Sequence, residues 1–449
     1  MISLERWPKV KALREKLNGK AKAEPAFRFY TLYDKMYRND VLEAAYAQVR
    51  ANGGAPGVDG ANFANIESYG VNRYLAELAV ELKARGYRPQ PVRRVLIPKV
   101  GKPGQFRPLG IPTIRDRIVQ QAVKLLLEPI FEADFTENAY GYRAGKSAHE
   151  ALLAVDAELR SNHSDVVDAD LSKYFDTIPH SDLMRSVERR VADRKVLWLI
   201  RVWLKVPVHE VNARGKTVIS GGKKTKCGTP QGGVVSPLLA NIYFRRFLLA
   251  WKKFGLDQKY QSRIVNYADD FVILTRGHAR EALQAARQIL QGMGLTLNEE
   301  KTRACRAWNQ SFDFLGYTFG KLYTRDGKPY LGFQPSDKSV QRYRDKVRQL
   351  TAKSQTLIEV EEIAKALNQV TRGFWNYFSI GTTAKLRSAL DRYLFARMVC
   401  WAKRKYPRPR PRKGRTLGLK ARYAKFVAAV DQLSFGREVR RHWTVARAE

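Results

Sequence analysis

The sequence is short of acid, short of cysteine and free of long apolar runs, and each shortage excludes something. Its three cysteines, Cys227, Cys305 and Cys400, lie far apart in the 449 residues. They form no CxxC pair and no Cys/His cluster at zinc spacing, which argues against a structural zinc site. A disulfide framework is equally unsupported, and that fits a reducing compartment. The opening residues Met1-Ile-Ser-Leu-Glu-Arg-Trp-Pro8 lack the apolar stretch of a signal peptide. The longest apolar-rich run, 118–131, is broken by Gln120, Gln121, Lys124 and Glu128. It falls short of the ~18–20 residues that a membrane span requires. A soluble, cytoplasmic chain with no membrane partner is expected.

Acid is the most telling shortage. There are 43 Asp+Glu against 81 Lys+Arg, a net charge of +38 and a pI near 10.2. Solubility is ordinarily secured by a net charge of about 2–8, and self-repulsion beyond that costs stability. The excess is complementary to a polyanion, and nucleic acid is the first candidate, because each neutralised phosphate releases counterions. With 44% apolar and 11% aromatic residues the chain can still bury sizeable cores.

Along the chain, residues 1–25 form a basic lead segment. The spacing of Tyr30, Leu32, Tyr33, Val41, Ala44, Ala45 and Val49 predicts a helix over 27–49, stopped by the turn residues Asn-Gly-Gly-Ala-Pro-Gly-Val-Asp-Gly at 52–60. Strands are expected at 92–98 and 107–111, a helix at 116–131, a strand at 164–171 and hairpins at 208–218 and 263–274. Mixed strands and helices with hairpins predict an α+β fold rather than a doubly wound parallel sheet. After Pro335 three amphipathic, basic helical patterns follow, at 340–350, 363–377 and 386–401. Within 403–415, eight of thirteen residues are Lys or Arg and three are Pro. That composition predicts an extended basic linker, ahead of a short helical tail at 420–433.

Two acidic features stand out against this background. Asp269 and Asp270 lie between two strand-like arms, where a tight turn lets neighbouring carboxylates converge. Asp170 is delivered by the strand Val166-Val-Asp-Ala-Asp-Leu171. Convergent carboxylates repel unless cations are present, and Mg²⁺ prefers carboxylate and phosphate oxygens. Asp168 shares a strand face with Asp170, and spacing alone leaves it open as a ligand.

Tyr267-Ala-Asp-Asp270 resembles the YxDD box of reverse transcriptases, and Asp170-Leu-Ser-Lys-Tyr-Phe-Asp176 their first catalytic box. Gly228-Thr-Pro-Gln-Gly-Gly-Val-Val-Ser-Pro-Leu-Leu-Ala-Asn241 is similar to the PQG-containing box of group II intron enzymes. Arg107-Pro-Leu-Gly-Ile-Pro112, Gly141-Tyr-Arg-Ala-Gly-Lys-Ser147, Leu297-Asn-Glu-Glu-Lys-Thr302 and Phe314-Leu-Gly-Tyr317 are further matches, in family order. Residues 52–60 resemble the extra N-terminal block of group II intron enzymes, and 355–400, with Gly373-Phe-Trp-Asn-Tyr-Phe378, their maturase or thumb domain.

The resemblance implies a right-hand polymerase. Its fingers and palm would span 26–335, with the N-terminal block at 28–75. A helical thumb/maturase domain would span 336–402, and a basic linker and nucleic-acid-binding tail 403–449. Asp170, Asp269 and Asp270 match the metal-binding aspartates, with the Leu171 backbone carbonyl as a further ligand, while Asp168 has no matching role. Mg²⁺ is the implied cofactor, for which Mn²⁺ could substitute. Lys99 and Arg107 match the basic residues that grip the incoming triphosphate. Phe175 matches the aromatic that excludes a 2′-OH, with its neighbour Tyr174 the weaker candidate. Gln231, Gly232 and Gly233 match the loop beside the base, and Lys301 is at most a primer or nucleotide contact. The implied partners are an RNA template, group II intron RNA, a DNA primer or target and dNTPs; no oligomeric state is implied.

The chain departs from the family pattern in Ala144 and Lys146, where Pro and Arg are usual, and, with no Cys/His cluster after the thumb, a C-terminal endonuclease domain is not expected. A stand-alone defence enzyme and a splicing cofactor whose polymerase activity is dispensable are the alternative readings.

Overall fold

The computed structural model describes residues 3–98, 104, 106–211, 216–230 and 232–405. Residues 406–449, which hold most of the basic 403–415 stretch and the expected 420–433 helix, lie outside the described residues. The chain divides into two compact units, one of residues 1–155 with 165–304, the other of 156–164 with 305 onward. Helices and largely antiparallel sheets are mixed in each, as the α+β expectation requires.

The first unit is organised around the helix Ile114–Glu132, which is buried along almost its whole length. Thr113 caps it, its hydroxyl accepting from the Asp116 N–H at 3.1 Å and donating to the Asp116 carboxylate at 2.8 Å. Polar residues on so buried a helix need partners, and they have them. Asp116 also accepts from the Tyr87 hydroxyl at 2.7 Å and the Gln90 N–H at 3.1 Å. Pro129 has no N–H for the carbonyl of Leu125, four residues back. Arg14 of the helix Pro8–Ala23 donates to that carbonyl at 2.7 Å and pairs with Glu128 at 2.7 Å. The basic lead segment is thus largely a helix that repairs a proline gap in the core helix.

Arg190 supplies a second strut. Only 1% exposed, it donates to the carbonyls of Ala21, Glu24 (2.9 Å) and Pro25 (2.7 Å), and its Nε lies 3.3 Å from an Asp134 carboxylate oxygen. These carbonyls sit at or just past the C-terminal end of the Pro8–Ala23 helix, where intrahelical partners run out. The same region corrects the expected helix over 27–49. Phe29 bridges Val191 through Phe29 N–H to Arg190 O (2.7 Å) and Ala192 N–H to Phe29 O (2.8 Å). The Asp193 carboxylate accepts from the N–H groups of Leu32 and Tyr33, both at 2.8 Å. Residues 27–32 therefore form no helix, and helix is confined to Tyr33–Met36 and Asn39–Asn52. Long-range backbone pairing outweighs a local apolar period.

Two sheets complete this unit. One orders Arg263–Tyr267, Asp270–Thr275, Asp165–Asp170 and Arg303–Arg306 side by side. Phe271, Val272, Ile273 and Leu274 are all fully buried in it, and the Phe271 ring lies 5.5 and 5.3 Å from those of Phe244 and Phe247 on the helix Ser236–Lys253. An uninterrupted apolar run suits a strand covered on both faces. The other sheet orders Phe106–Ile111, Val92–Pro98, Pro207–Val211 and Thr217–Gly221, with the central pair parallel.

The second unit pairs a small sheet, Pro329–Pro335, Tyr317–Tyr323 and Phe312–Phe314, with three helices. The Phe319 ring stacks between Phe312 at 5.2 Å and Phe333 at 4.9 Å. The helices are Asp337–Leu350, Val360–Tyr377 and Ala384–Lys405. Arg397 of the last donates to the Thr351 hydroxyl at 3.0 Å and carbonyl at 3.2 Å, closing the end of the first. Among the described residues no helix is long and apolar enough to cross a membrane.

Arg190 gives a direct test of this packing. Arg190→Ala leaves Asp134 and several helix-end carbonyls without their cation, and should lower unfolding stability by about 3–5 kcal/mol. Urea denaturation followed by circular dichroism measures it. A loss under ~1 kcal/mol, the scale of a surface pair, would mean that the strut carries no such weight.

Candidate active site

The hairpin carrying Asp269 and Asp270 is as tight as a hairpin can be. Tyr267 pairs with Asp270 across Arg263–Tyr267 and Asp270–Thr275, leaving Ala268 and Asp269 as a two-residue loop. Ala268 has φ +60°, as the first loop position of a type II′ turn requires. For a residue with a Cβ that conformation is strained, and the surroundings enforce it. The Asn266 side chain, 2% exposed, donates to the carbonyls of Ala268 at 2.9 Å and Asp270 at 3.4 Å. Asn266 also pairs its backbone with residues 138–140, accepting from the Tyr140 N–H at 2.8 Å and donating to Asn138 O at 2.9 Å. Gly141 follows directly, so close that a Cβ there would stand 2.4 Å from the Ala268 nitrogen. The Gly141 carbonyl is held in turn by the Asn241 amide at 2.7 Å.

Register brings the third carboxylate to this turn. Asp165–Asp170 runs antiparallel to Asp270–Thr275 with Asp170 opposite Asp270. Burial, then the charges of Asp269 and Asp170, push the Asp270 carboxyl well above the usual carboxylate range. Burial likewise raises Asp269, with Asp170 adding to it and Arg107 and Lys301 opposing it. The three aspartates thus stand within electrostatic reach of one another, and their shared negative charge is incompletely balanced.

Part of the balance comes from the segment after Leu297. Lys301 donates to Asp170 Oδ2 at 2.7 Å and the Asn298 amide to the same oxygen at 3.1 Å. Burial disfavours the Lys301 ammonium, but the hydrogen bond to Asp170 and the charges of Asp170, Asp270 and Asp269 outweigh it, so its pKa rises. Lys301 therefore meets Asp170 in this structure, beside the position where a primer or nucleotide contact is expected. Leu171 bridges Leu297, through bonds made by Asp170 O with Asn298 N–H (2.8 Å) and by Ser172 N–H with Thr296 O (2.9 Å). Leu171 is the non-hydrogen-bonded member of that bridge. Asp168, two residues back, lies 3.6 Å from the Arg303 guanidinium.

The remaining expected residues lie around this cluster. Arg107 is exposed on Phe106–Ile111, and its charge reaches Asp269. The Phe175 ring is half-buried between Tyr174 and Tyr142, at centroid distances of 5.7 and 6.4 Å. Tyr174 is buried, its hydroxyl donating to Ala240 O at 2.6 Å. Gly232 has φ +100°, and a Cβ there would stand 2.0 Å from the Gly110 carbonyl oxygen, so only glycine fits. Thr229 N–H to Phe175 O at 2.6 Å and Gly228 N–H to Ile178 O at 2.8 Å strap this loop to the segment after Asp170. Lys99 and Gln231 lie outside the described residues.

Sequence reasoning passed over Asn266, Gly141, Tyr142 and Asn298. A polar Asn in an apolar strand was a signal for the first; the other three stood inside boxes quoted for other reasons.

The donor set suits a divalent cation, offering carboxylate oxygens and a surplus of negative charge. Among the described residues no three or more His, Cys, Asp or Glu side chains close around a metal position. Asp170 accepts from the Lys301 ammonium, which offsets part of its charge.

This site sits within a chain whose residues 97–319 match the family model of reverse transcriptase (RNA-dependent DNA polymerase). Residues 340–418 match the group II intron maturase-specific domain. Protein YkfC of Escherichia coli K12 is 31% identical over 360 residues, spanning 71% of this chain and 90% of YkfC. The group II intron-encoded protein LtrA of Lactococcus lactis is 28% identical over 438 residues, spanning 79% and 71%. A solved telomerase from Candida albicans, in complex with a fragment of telomeric RNA, aligns with TM-score 0.41 and 14% identity, over 81% of this chain and 69% of that one. The chain is an RNA-directed DNA polymerase. It belongs to the group II intron reverse transcriptases, with their maturase-specific domain. Dependence on a divalent metal comes with that family.

Gly141 tests the turn. Gly141→Ala drives a methyl into the Ala268 backbone and should lower kcat on the order of 100-fold, the scale of an ångström's misplacement of reacting groups. Single-nucleotide insertion kinetics, with thermal melting as a control for folding, measure it. Near-normal kcat would show that the close approach does not set the turn.

Proposed function

We propose that this chain copies RNA into DNA at the cluster of Asp170, Asp269 and Asp270, with Mg²⁺ as its metal and Mn²⁺ as a substitute. The reading rests above all on the register that sets Asp170 opposite Asp270 beside a strained two-residue turn. A primer 3′-OH attacks the α-phosphate of the incoming dNTP, forming a phosphodiester and releasing pyrophosphate. When bound there, divalent metals would supply activation of the 3′-OH and stabilisation of the leaving pyrophosphate. The three aspartates, with the Leu171 carbonyl, would hold them. Arg107, with Lys99, neutralises the triphosphate. Phe175 leaves no room for a ribose 2′-OH, and Gln231 and Gly232 border the base. Lys301 and Asn298 hold Asp170 in place.

The fingers and palm (26–335), the thumb or maturase domain (336–402) and the basic extension (403–449) are proposed as functional segments. The family matches ending at 319 and beginning at 340 support the 335/336 junction. In the second unit, Arg342, Lys346, Tyr343, Phe374, Tyr377 and Phe378 line one groove of about 500 Å³. Cations beside aromatic faces suit phosphates and unpaired bases, which supports binding of group II intron RNA as well as template and primer, in the cytoplasm. The maturase-specific match favours a second reading, a splicing factor whose polymerase activity is dispensable.

Primer extension on poly(rA)/oligo(dT) should show Mg²⁺-dependent dTTP incorporation that Asp170→Ala abolishes; full activity in the variant overturns the assignment. Asp269→Ala separates the two readings in a splicing assay. The substitution should stop DNA synthesis, and splicing that also fails in a folded, RNA-bound variant removes the dispensable-polymerase reading.

A further inference from the structure

Phe175 can exclude a 2′-OH only if its ring stays where the sugar passes, so what holds the ring matters. On its inner side the ring meets Tyr174 at 5.7 Å and 63° between planes. Tyr174 cannot retreat, being 2% exposed and anchored through its hydroxyl to Ala240 O. On the outer side the Phe175 ring meets Tyr142, at 6.4 Å and 80°. This edge-to-face geometry is one that aromatic pairs favour.

Tyr142 is 48% exposed and stands at φ +56°. A bulky residue in left-handed backbone is uncommon and persists only where its neighbours enforce it. Here they do so on both sides. The Asn241 amide holds the Gly141 carbonyl. Arg143 donates to the carbonyls of Thr136 (2.6 Å) and Ala139 (2.5 Å) and pairs with Glu132 at 2.6 Å. The strained residue therefore has a fixed direction, and its phenol lies in the fields of Asp269 and Arg107.

We propose that Tyr142 is a positioning residue for sugar selection, its ring bracing Phe175 edge-on so that the gate cannot swing aside for a ribonucleotide. This rests on Phe175 being the gate. The ring supplies the brace, not the hydroxyl. With Tyr142 removed, the outer side of Phe175 opens to other rotamers while the aspartates and their turn stay as they are. Discrimination against NTPs should therefore fall, with the chemical step on dNTPs largely retained.

The experiment measures kcat and KM for single insertions of dTTP and UTP on an RNA template with a DNA primer. It compares the full-length protein with Tyr142→Phe, Tyr142→Ala, Tyr142→Leu, Phe175→Ala and the double variant Tyr142→Ala/Phe175→Ala. Removing the brace should relax the dTTP/UTP ratio of kcat/KM by about three- to tenfold, the factor an aromatic pair is worth. Most of the change should appear in KM for UTP. Tyr142→Phe should keep the normal ratio, Tyr142→Leu should fall between, and the double variant should be no less selective than Phe175→Ala alone.

A normal ratio in Tyr142→Ala, with Phe175→Ala relaxed, overturns the brace and leaves the gate standing. An unchanged ratio in Phe175→Ala removes the gate, and the brace with it. Equal losses on dTTP and UTP in both the Ala and Leu variants mean that Tyr142 serves the fold rather than selection.

Discussion

Mutual repulsion among three carboxylates is the constraint around which the first unit is arranged. Antiparallel register sets Asp170 opposite Asp270, and a two-residue loop holds Asp269 beside them. Burial first, and then the like charges of Asp269 and Asp170, raise the Asp270 carboxyl. Relief comes from side chains delivered by distant segments, Lys301 onto Asp170 and Arg107 toward Asp269. A sheet end that concentrates negative charge in a chain of net charge +38 is also a natural focus for cations.

The strained turn depends on supports drawn from several parts of the chain. Asn266 bonds the loop carbonyls, Gly141 lets a second segment lie against the Ala268 backbone, and Asn241 holds that segment from the helix behind. The two asparagines are polar and largely buried, so each is costly if left unpaired. The same logic operates in the core. There Arg14 fills the gap left by Pro129, and Arg190 gathers the carbonyls at a helix end. The high arginine content is therefore not only an electrostatic device; several arginines are internal struts.

Much of this was legible in the chain. The strand-like arms on either side of Asp269 and Asp270, and the strand that delivers Asp170, located the hairpin and the central strand. The ordered boxes singled out Asp170, Asp269 and Asp270, which the fold brings together. The helix expected over 27–49 was misread, because periodicity reports a local preference and Phe29 pairs with Val191 far along the chain. The bond from Lys301 to Asp170 is not foreseeable from the chain, because nothing local relates residues 131 positions apart.

Composition, hydrophobic period and motif order were sufficient for the α+β class, the polyanionic partner and the family, since each is a property of the chain read locally. Tertiary structure alone decided which oxygen Lys301 meets, why Gly141 and Gly232 admit no side chain, and how Tyr142 comes to lie edge-on to Phe175. These depend on close approach between segments distant in sequence. The three aspartates could be picked out in the chain, but the unbalanced charge they share exists only once register brings them together.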